Sequence, residues 1–107
     1  MKTLKFFIAI VALTISTVAF AATKTESIKV SGNCETCKAR IEKAAKVDGV
    51  TKADWNTKTK VLTLVYDHAK VKSDDVQKKI AAAGHDTPKY KTTTAVYNTL
   101  PGCCKYR

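Results

Sequence analysis

Hydrophobic and polar residues alternate over 26–30, which is the pattern of a strand with one buried face. Two further strands are predicted over 50–56 and, more strongly, over 60–66. Residues 57–59 separate the second from the third, a link of hairpin length, so we expect these two strands to be antiparallel neighbours. A fourth strand is predicted over 85–91, at an edge of the sheet because it contains Pro88.

Two further segments carry hydrophobic residues at spacings of three and four, which is typical of a helix with one buried face. The first covers 35–46, and Asp48-Gly49 ends it. Its buried face is predicted to contain Cys37, Ile41, Ala44 and Ala45. The second begins at Ser73, which we expect to be the N-cap, and ends at Gly84 as a left-handed cap. Its buried face is predicted to contain Val76, Ile80 and Ala83.

The predicted order is therefore strand, helix, strand, strand, helix, strand. This is the α+β, ferredoxin-like βαββαβ sandwich, in which two helices cover one face of an antiparallel sheet. The C-terminal tail, 92–107, has no clear period, and we expect it to be a loop or a short helix wrapped on the domain.

The first 21 residues have the features of a secretory signal peptide. Lys2 and Lys5 precede an apolar run over 6–13, and Ala19 and Ala21 are small residues at the positions that a signal peptidase inspects. An uncleaved anchor is the alternative, although polar residues interrupt an apolar run shorter than the roughly 20 residues of a membrane span. We expect export across the inner membrane to the periplasm, and a mature chain with room for one small domain.

The formal net charge of +10 raises the possibility of nucleic-acid binding. Export argues against it, and the lysines are scattered with little aromatic interleaving. We expect no nucleic-acid partner. The basic residues are interpreted as a solvated face, with steering toward an acidic protein or membrane as the alternative.

Cys34 and Cys37 form a CxxC pair where a loop meets the first predicted helix. Two thiols at this spacing can converge on one soft metal ion, and the helix N-terminus stabilises their thiolates. Structural disulfides are the alternative in an oxidising compartment, where four cysteines permit three pairings. A CxxC pair is more typical of metal binding or redox exchange, and adjacent cysteines such as Cys103 and Cys104 close only a strained ring.

Cys103 and Cys104 lie in the tail, where an idle thiol of an exported protein invites oxidation. The roughly 12 residues from Thr92 to Cys103 could span about 36 Å, enough to return to the CxxC loop. We expect the two tail cysteines to add thiolates to the metal site, or to form a disulfide with the CxxC pair under oxidation.

The chain resembles the heavy-metal-associated domain family, which includes small copper chaperones, metal-binding modules of copper-transporting ATPases and periplasmic mercury scavengers. The segments that carry the resemblance are 30–37, 41–44, 47–50, 66–67 and 83–85. It covers about 26–90, so we divide the chain into a signal peptide over 1–21, a heavy-metal-associated domain over 22–91 and a cysteine-containing tail over 92–107.

The chain departs from the family pattern at two positions. Ser31-Gly32 stands where the family usually has Gly-Met, and the absent methionine normally packs under the metal loop. His85 stands where the ATPase modules often have an aromatic residue, and it resembles the histidine that some bacterial copper chaperones place beside the metal. This makes His85 a candidate third ligand; a solvated strand residue is the alternative.

The resemblance implies a metal carrier or scavenger rather than an enzyme. Cu(I) is the expected ion because it accepts two or three soft thiolates and exchanges them readily. Hg(II), Zn(II) and cadmium are alternatives, and zinc would need all four cysteines. A thiol-disulfide oxidoreductase is the alternative of a different class. We expect a monomer, or a metal-bridged dimer, that exchanges the ion with a metal-transporting membrane protein or another metal-binding domain.

Overall fold

The computed structural model describes residues 23–107, so the predicted signal peptide lies outside the described residues. The elements are β1 (Thr23–Lys29), α1 (Glu35–Ala45), β2 (Val50–Trp55), β3 (Val61–Asp67), α2 (Ser73–Ala82), α3 (Thr94–Tyr97) and a 3-10 helix (Gly102–Cys104). Among these residues, no helix is long and apolar enough to cross a membrane.

The three strands form one antiparallel sheet in the order β1-β3-β2, so β3 is central. The predicted hairpin between β2 and β3 is confirmed. Its turn is closed by the Lys60 amide, which donates to the Asn56 carbonyl over 2.8 Å, and by the Asn56 side chain, which accepts from two amides of the turn. The ferredoxin-like class is likewise confirmed.

Alternation along the strands places one face of the sheet against α1 and α2. Ile28 on β1 lies opposite Leu62 on β3, and Ala53 on β2 lies opposite Leu64, and these four side chains are buried. The two helices close the core from one side with fully buried side chains, namely Cys37, Ile41, Ala45, Val76 and Ile80. The stripes of apolar residues in the sequence therefore predict most of the core correctly, although Ala44 and Ala83, also predicted on the buried faces, are only partly buried.

The predicted edge strand over 85–91 is wrong: the described residues contain no strand there. One ladder-like bond remains, from the Ser31 amide to the Asp86 carbonyl over 3.0 Å. The chain then turns back on itself, because the Thr87 amide and hydroxyl both donate to the Tyr90 carbonyl. Pro88, which lies inside this turn, has no amide hydrogen to donate to a neighbouring strand.

The prediction that Ser73 is the N-cap of α2 is also wrong. Lys72 occupies that position, and Ser73 is the first helical residue. The Ser73 hydroxyl donates to Glu26 on β1 over 2.6 Å. A carboxylate is a stronger acceptor than a neutral group, so the Ser73 hydroxyl binds this distant strand instead of capping the helix. The helix nevertheless ends as predicted, with Gly84 just beyond it at φ +112°.

The tail packs on the domain as predicted, with two short helices. Tyr97, Leu100 and Cys104 are buried and join the core. Arg107 fastens the end of the tail, because its guanidinium donates to both carboxylate oxygens of Asp86 over 3.0 and 3.2 Å. The tail is therefore part of the folded unit.

Gly84 marks the contact between the end of α2 and the tail, and it supplies a test of tail packing. A Cβ at this position would lie 2.7 Å from Leu100 Cδ2, and the backbone is in a conformation that L side chains rarely adopt. We expect Gly84→Ala to lower the free energy of unfolding by roughly 1–3 kcal/mol. Urea titration of the reduced apoprotein measures it.

Gly102→Ala is the matched control, since a Cβ there meets nothing within 4 Å. Its effect on stability should stay within about 0.5 kcal/mol. Equal losses in the two variants would contradict the packing of Leu100 on Gly84.

Candidate metal centre

The CxxC pair lies where the chain leaves β1 and enters α1. Cys34 occupies the N-cap position with extended backbone, and Cys37 lies in the first turn with its side chain fully buried. Their Sγ atoms are 3.5 Å apart. The free amides of a helix N-terminus carry partial positive charge, so a thiolate at this position is stabilised. The placement predicted from the sequence is confirmed.

Trp55 supports the loop before Cys34 from below. Its indole Nε1 donates to the Val30 carbonyl over 3.0 Å, and its side chain is fully buried. A Cβ at Gly32 would lie 3.0 Å from Trp55 Cη2 and 3.2 Å from Cys37 Cβ. Gly32, which stands at the position where the family usually has its methionine, therefore lets the loop lie directly on the indole.

The tail brings a third sulfur to the pair. Cys104 is fully buried, and its Sγ lies 3.8 Å from that of Cys34. The Sγ atoms of Cys34, Cys37 and Cys104 all lie within 4.8 Å of one another. All four cysteines are free thiols. The three buried or half-buried thiols, Cys34, Cys37 and Cys104, are called the thiol cluster below.

Cys103 lies at the surface beside the thiol cluster. Its Sγ is 2.8 Å from Cys34 Sγ and 4.0 Å from Cys104 Sγ, and the residue is exposed. The tail is held in this place by the Asn33 side chain, which donates to the Lys105 carbonyl over 2.9 Å. The expectation that the tail returns to the CxxC loop is therefore realised in the structure.

Two members of the thiol cluster, Cys34 and Cys104, differ in how tightly they hold a proton. The hydrogen bond between Cys34 and Cys103, together with one from the Cys37 amide, lowers the pKa of Cys34 to about 6. Burial raises the pKa of Cys104 well above its usual range, and its Cys37 and Cys34 neighbours add to the effect. At neutral pH, Cys34 is thus a thiolate ready to attack a metal, while Cys104 keeps its proton.

His85 lies beneath the loop rather than at the surface, so the interpretation as a solvated strand residue is wrong. It is fully buried, and its Nδ1 lies 2.8 Å from the Ser31 carbonyl oxygen, to which it donates as the Nδ1–H tautomer. Burial lowers the pKa of His85, which keeps the ring neutral. Among the described residues, His85 does not belong to the cluster of side chains that could hold a metal ion. Its role as a ligand stays a prediction.

Tyr106 connects His85 to the tail. Its ring stacks on the imidazole with centroids 5.8 Å apart, and its hydroxyl donates to the Gly84 carbonyl and accepts from the Asp86 amide. Burial raises the pKa of Tyr106 to about 12, so the hydroxyl keeps the proton that it donates. The loop, the end of α2 and the tail are thereby held in one arrangement.

Sequence reasoning missed the supporting residues Trp55, Tyr106 and Arg107. Trp55 is the single tryptophan of the chain, which is a signal for a packing role, and Tyr97 and Tyr106 are the aromatic residues of the tail. The partners of these residues are distant in sequence, so their specific contacts had no local signal.

The comparison with known families identifies the domain. The family model of the heavy-metal-associated domain matches residues 27–86, more than half of the chain, and the chain belongs to this family. The resemblance read from the sequence is confirmed, and the protein is a heavy-metal-binding domain with a cysteine cluster. Cys103 and Cys104 lie beyond the matched residues, so the family pattern does not assign them.

The names of individual relatives fall into two groups, one of mercuric transport and one of metallochaperones and copper-translocating ATPases. A protein of Alcaligenes sp. named the periplasmic component of a mercuric transport protein is 32% identical over 83 residues, or 76% of this chain and 91% of the relative. The structure of a CopZ metallochaperone is 33% identical, with 60% of this chain and 98% of that chain covered and a TM-score of 0.58. The N-terminal domain of a potential copper-translocating P-type ATPase from Bacillus subtilis, in its Cu(I)-loaded state, is 25% identical, with 61% and 84% covered and a TM-score of 0.58.

The low pKa of Cys34 gives a first prediction for the site. In the reduced apoprotein, the rate at which iodoacetamide alkylates Cys34 should rise with a midpoint at about pH 6, because only the thiolate reacts. Peptide mass spectrometry with fragmentation assigns the modified cysteine. Cys103→Ala removes the largest cause of the shift and should move the midpoint upward. A midpoint near the ordinary thiol value in the unsubstituted protein would contradict the assignment.

His85 can be tested by His85→Phe, which keeps an aromatic ring against Tyr106 but leaves the Ser31 carbonyl without its donor. We expect the free energy of unfolding to fall by roughly 1–3 kcal/mol. We expect the affinity for Cu(I) to change less than about tenfold, since the contacts give His85 a supporting role. Unchanged stability with a large loss of affinity would instead make His85 a ligand.

Proposed function

We propose that this protein binds one Cu(I) ion through Cys34 and Cys37, with Cys104 as a third thiolate, and carries or sequesters the ion outside the cytoplasm. One observation supports this most directly: sulfur atoms from two distant parts of the chain converge within 4.8 Å of one another. The ion is the cargo of the protein, and we propose no enzymatic activity for it.

The number of grouped sulfurs favours Cu(I) over zinc. Cu(I) is satisfied by two or three thiolates, whereas structural zinc takes four ligands in a tetrahedron. With Zn–S bonds of about 2.3 Å, four sulfurs would lie about 3.8 Å from one another. Among the described residues, three cysteine sulfurs lie within 4.8 Å of one another, and the sulfur of Cys103 is not among them. A low-coordinate ion fits this arrangement better.

Hg(II) is the second candidate ion, and the name of the relative from Alcaligenes sp. favours it. That protein, aligned over 91% of its length, is named as part of mercuric transport. Hg(II) is a soft ion that the same thiolates would hold. The proposed action, binding and passing on a soft ion, is the same for either metal.

Location and partner are proposed from the leader-like first residues and from the names of relatives. Residues 1–21 have signal-peptide features, and the Alcaligenes relative is named a periplasmic component. The likeness to a domain of a P-type ATPase supports a metal-transporting membrane protein as the partner. We propose that the chain acts as a monomer, since a third thiolate within the chain removes the need for a second molecule.

The proposal predicts that Cys34→Ser and Cys37→Ser each weaken Cu(I) binding by about a hundredfold or more, because a hard hydroxyl replaces a soft thiolate. Anaerobic competition against a chromophoric Cu(I) chelator measures the affinity. Thr36→Ser is the matched control: it lies between the two cysteines, is exposed, and removes no thiol. It should bind like the unsubstituted protein.

Unchanged Cu(I) affinity in Cys34→Ser would overturn the proposed site. Metal content after purification under reducing conditions, with Hg(II) tested in parallel, separates the two candidate ions. Reduction of insulin disulfides at rates typical of a thiol-disulfide oxidoreductase would contradict a carrier and favour the redox alternative.

A further inference from the structure

The four thiols differ sharply in their access to solvent. Cys37 and Cys104 are fully buried, Cys34 is half-buried, and Cys103 is exposed. Cys103 is thus the most accessible of the four cysteines, all of which lie in the described part of the chain, and Cys34 is accessible only in part. The Cys103 thiol is therefore the first sulfur available to an incoming ion.

The distances between sulfurs define a route for that ion. Cys103 Sγ lies 2.8 Å from Cys34 Sγ, which in turn lies 3.5 Å from Cys37 Sγ and 3.8 Å from Cys104 Sγ. Cys34 is therefore the central sulfur, with the exposed thiol on one side and the two buried thiols on the other. An ion could move inward with a sulfur ligand present at every stage.

The local structure of the tail explains why neighbouring cysteines have opposite exposure. Both lie in the 3-10 helix Gly102–Cys104, where each residue is rotated by about a third of a turn from the one before it. When Cys104 faces the core, Cys103 must face outward. Leu100 against Gly84 and the bond from Asn33 to the Lys105 carbonyl fix this orientation from both sides.

We infer that Cys103 is the exchange thiol through which the metal ion enters and leaves, and that Cys104 is the thiol that retains the ion inside. This inference rests on the proposed function and assigns different roles to two cysteines outside the residues matched to the family. The ion is a soft cation delivered by a thiol-bearing donor, such as a metal–glutathione complex or a cysteine of a partner protein.

Each step of this transfer is a ligand exchange. Cys103 Sγ forms a bond to the ion as the donor's sulfur bond breaks, and the proton from the Cys103 thiol passes to the departing thiolate. The Cys34 thiolate then forms a bond to the ion as the bond to the remaining donor sulfur breaks, and that sulfur leaves as a thiolate. Bonds to Cys37 and Cys104 form as the bond to Cys103 breaks; the proton of one of these two thiols passes to Cys103, and the proton of the other passes to the departed donor thiolate. The oxidation state of the ion does not change, so no oxidant or reductant is needed.

The same substitution at two adjacent positions tests the assignment. Cys103→Ser should slow the loading of Cu(I) from a Cu(I)–glutathione complex by about tenfold or more, because the accessible thiol is lost. Its equilibrium affinity for Cu(I) should stay within about threefold of the unsubstituted protein, since the thiol cluster remains and a serine hydroxyl, unlike the alanine methyl, can still donate to Cys34. Stopped-flow absorbance of the thiolate-to-copper charge-transfer band follows loading, and chelator competition gives the affinity.

Cys104→Ser should show the opposite pattern, with affinity weakened by about tenfold or more and the initial loading rate little changed. Because a buried hydroxyl can destabilise the tail, Cys104→Ala serves as the second variant, and urea titration of both checks folding. Loading of Cys103→Ser at the unsubstituted rate, or equal effects of the two substitutions on affinity, would overturn the inference while leaving the proposed function standing. Failure of the unsubstituted protein to bind Cu(I) would overturn both.

Discussion

The packing of the tail against the N-terminal turn of α1 is the contact on which the three-sulfur arrangement depends. The loop and helix alone supply two sulfurs, and the third arrives only because Cys104 is buried beside Cys37. That burial is held by contacts at both flanks of the 3-10 helix, from Leu100 on Gly84 to the ion pair of Arg107 with Asp86. A change in any of these contacts acts on the metal site without touching a ligand.

The short distances between the sulfur atoms affect which thiols are ionised in the apoprotein. Thiolates within about 4 Å of one another repel, so ionisation of one raises the cost of ionising the next. The structure resolves this conflict by ionising Cys34, the thiol with the most hydrogen bonds, and keeping Cys104 protonated. A bound cation removes the repulsion, so loading releases the protons that the ligand thiols still hold, and binding strengthens as pH rises.

The sequence predicts the elements that depend on local patterns and fails where distant contacts decide. Alternation, the three-and-four spacing and Gly84 define the strands, both helices and the end of α2, since each is a short-range signal. The edge strand over 85–91 fails because Thr87 and Tyr90 close a turn instead of pairing along β1. Ser73 fails as an N-cap because Glu26, far away in the chain, binds its hydroxyl.

The candidate metal site is likewise predictable where it depends on local sequence and unpredictable where it depends on distant contacts. The CxxC pair is predictable because the motif and its helix are contiguous, and the reach of the tail is predictable from chain length. Which of Cys103 and Cys104 faces inward is not predictable, because the orientation of the 3-10 helix is set by Leu100 and Lys105 against partners far away in the chain. Trp55 is likewise assigned only once Gly32 is seen lying on its indole.

The tail also changes what a partner must do to take the ion. In a site of two cysteines, an approaching molecule can supply the third thiolate itself, and this makes exchange easy. In the proposed complex, Cys104 fills that place from within the chain, so a partner would compete with a buried ligand. In that complex, retention of the ion is strengthened at the expense of its release. In the inferred transfer, Cys103, exposed beside Cys34, keeps this site able to exchange its ion.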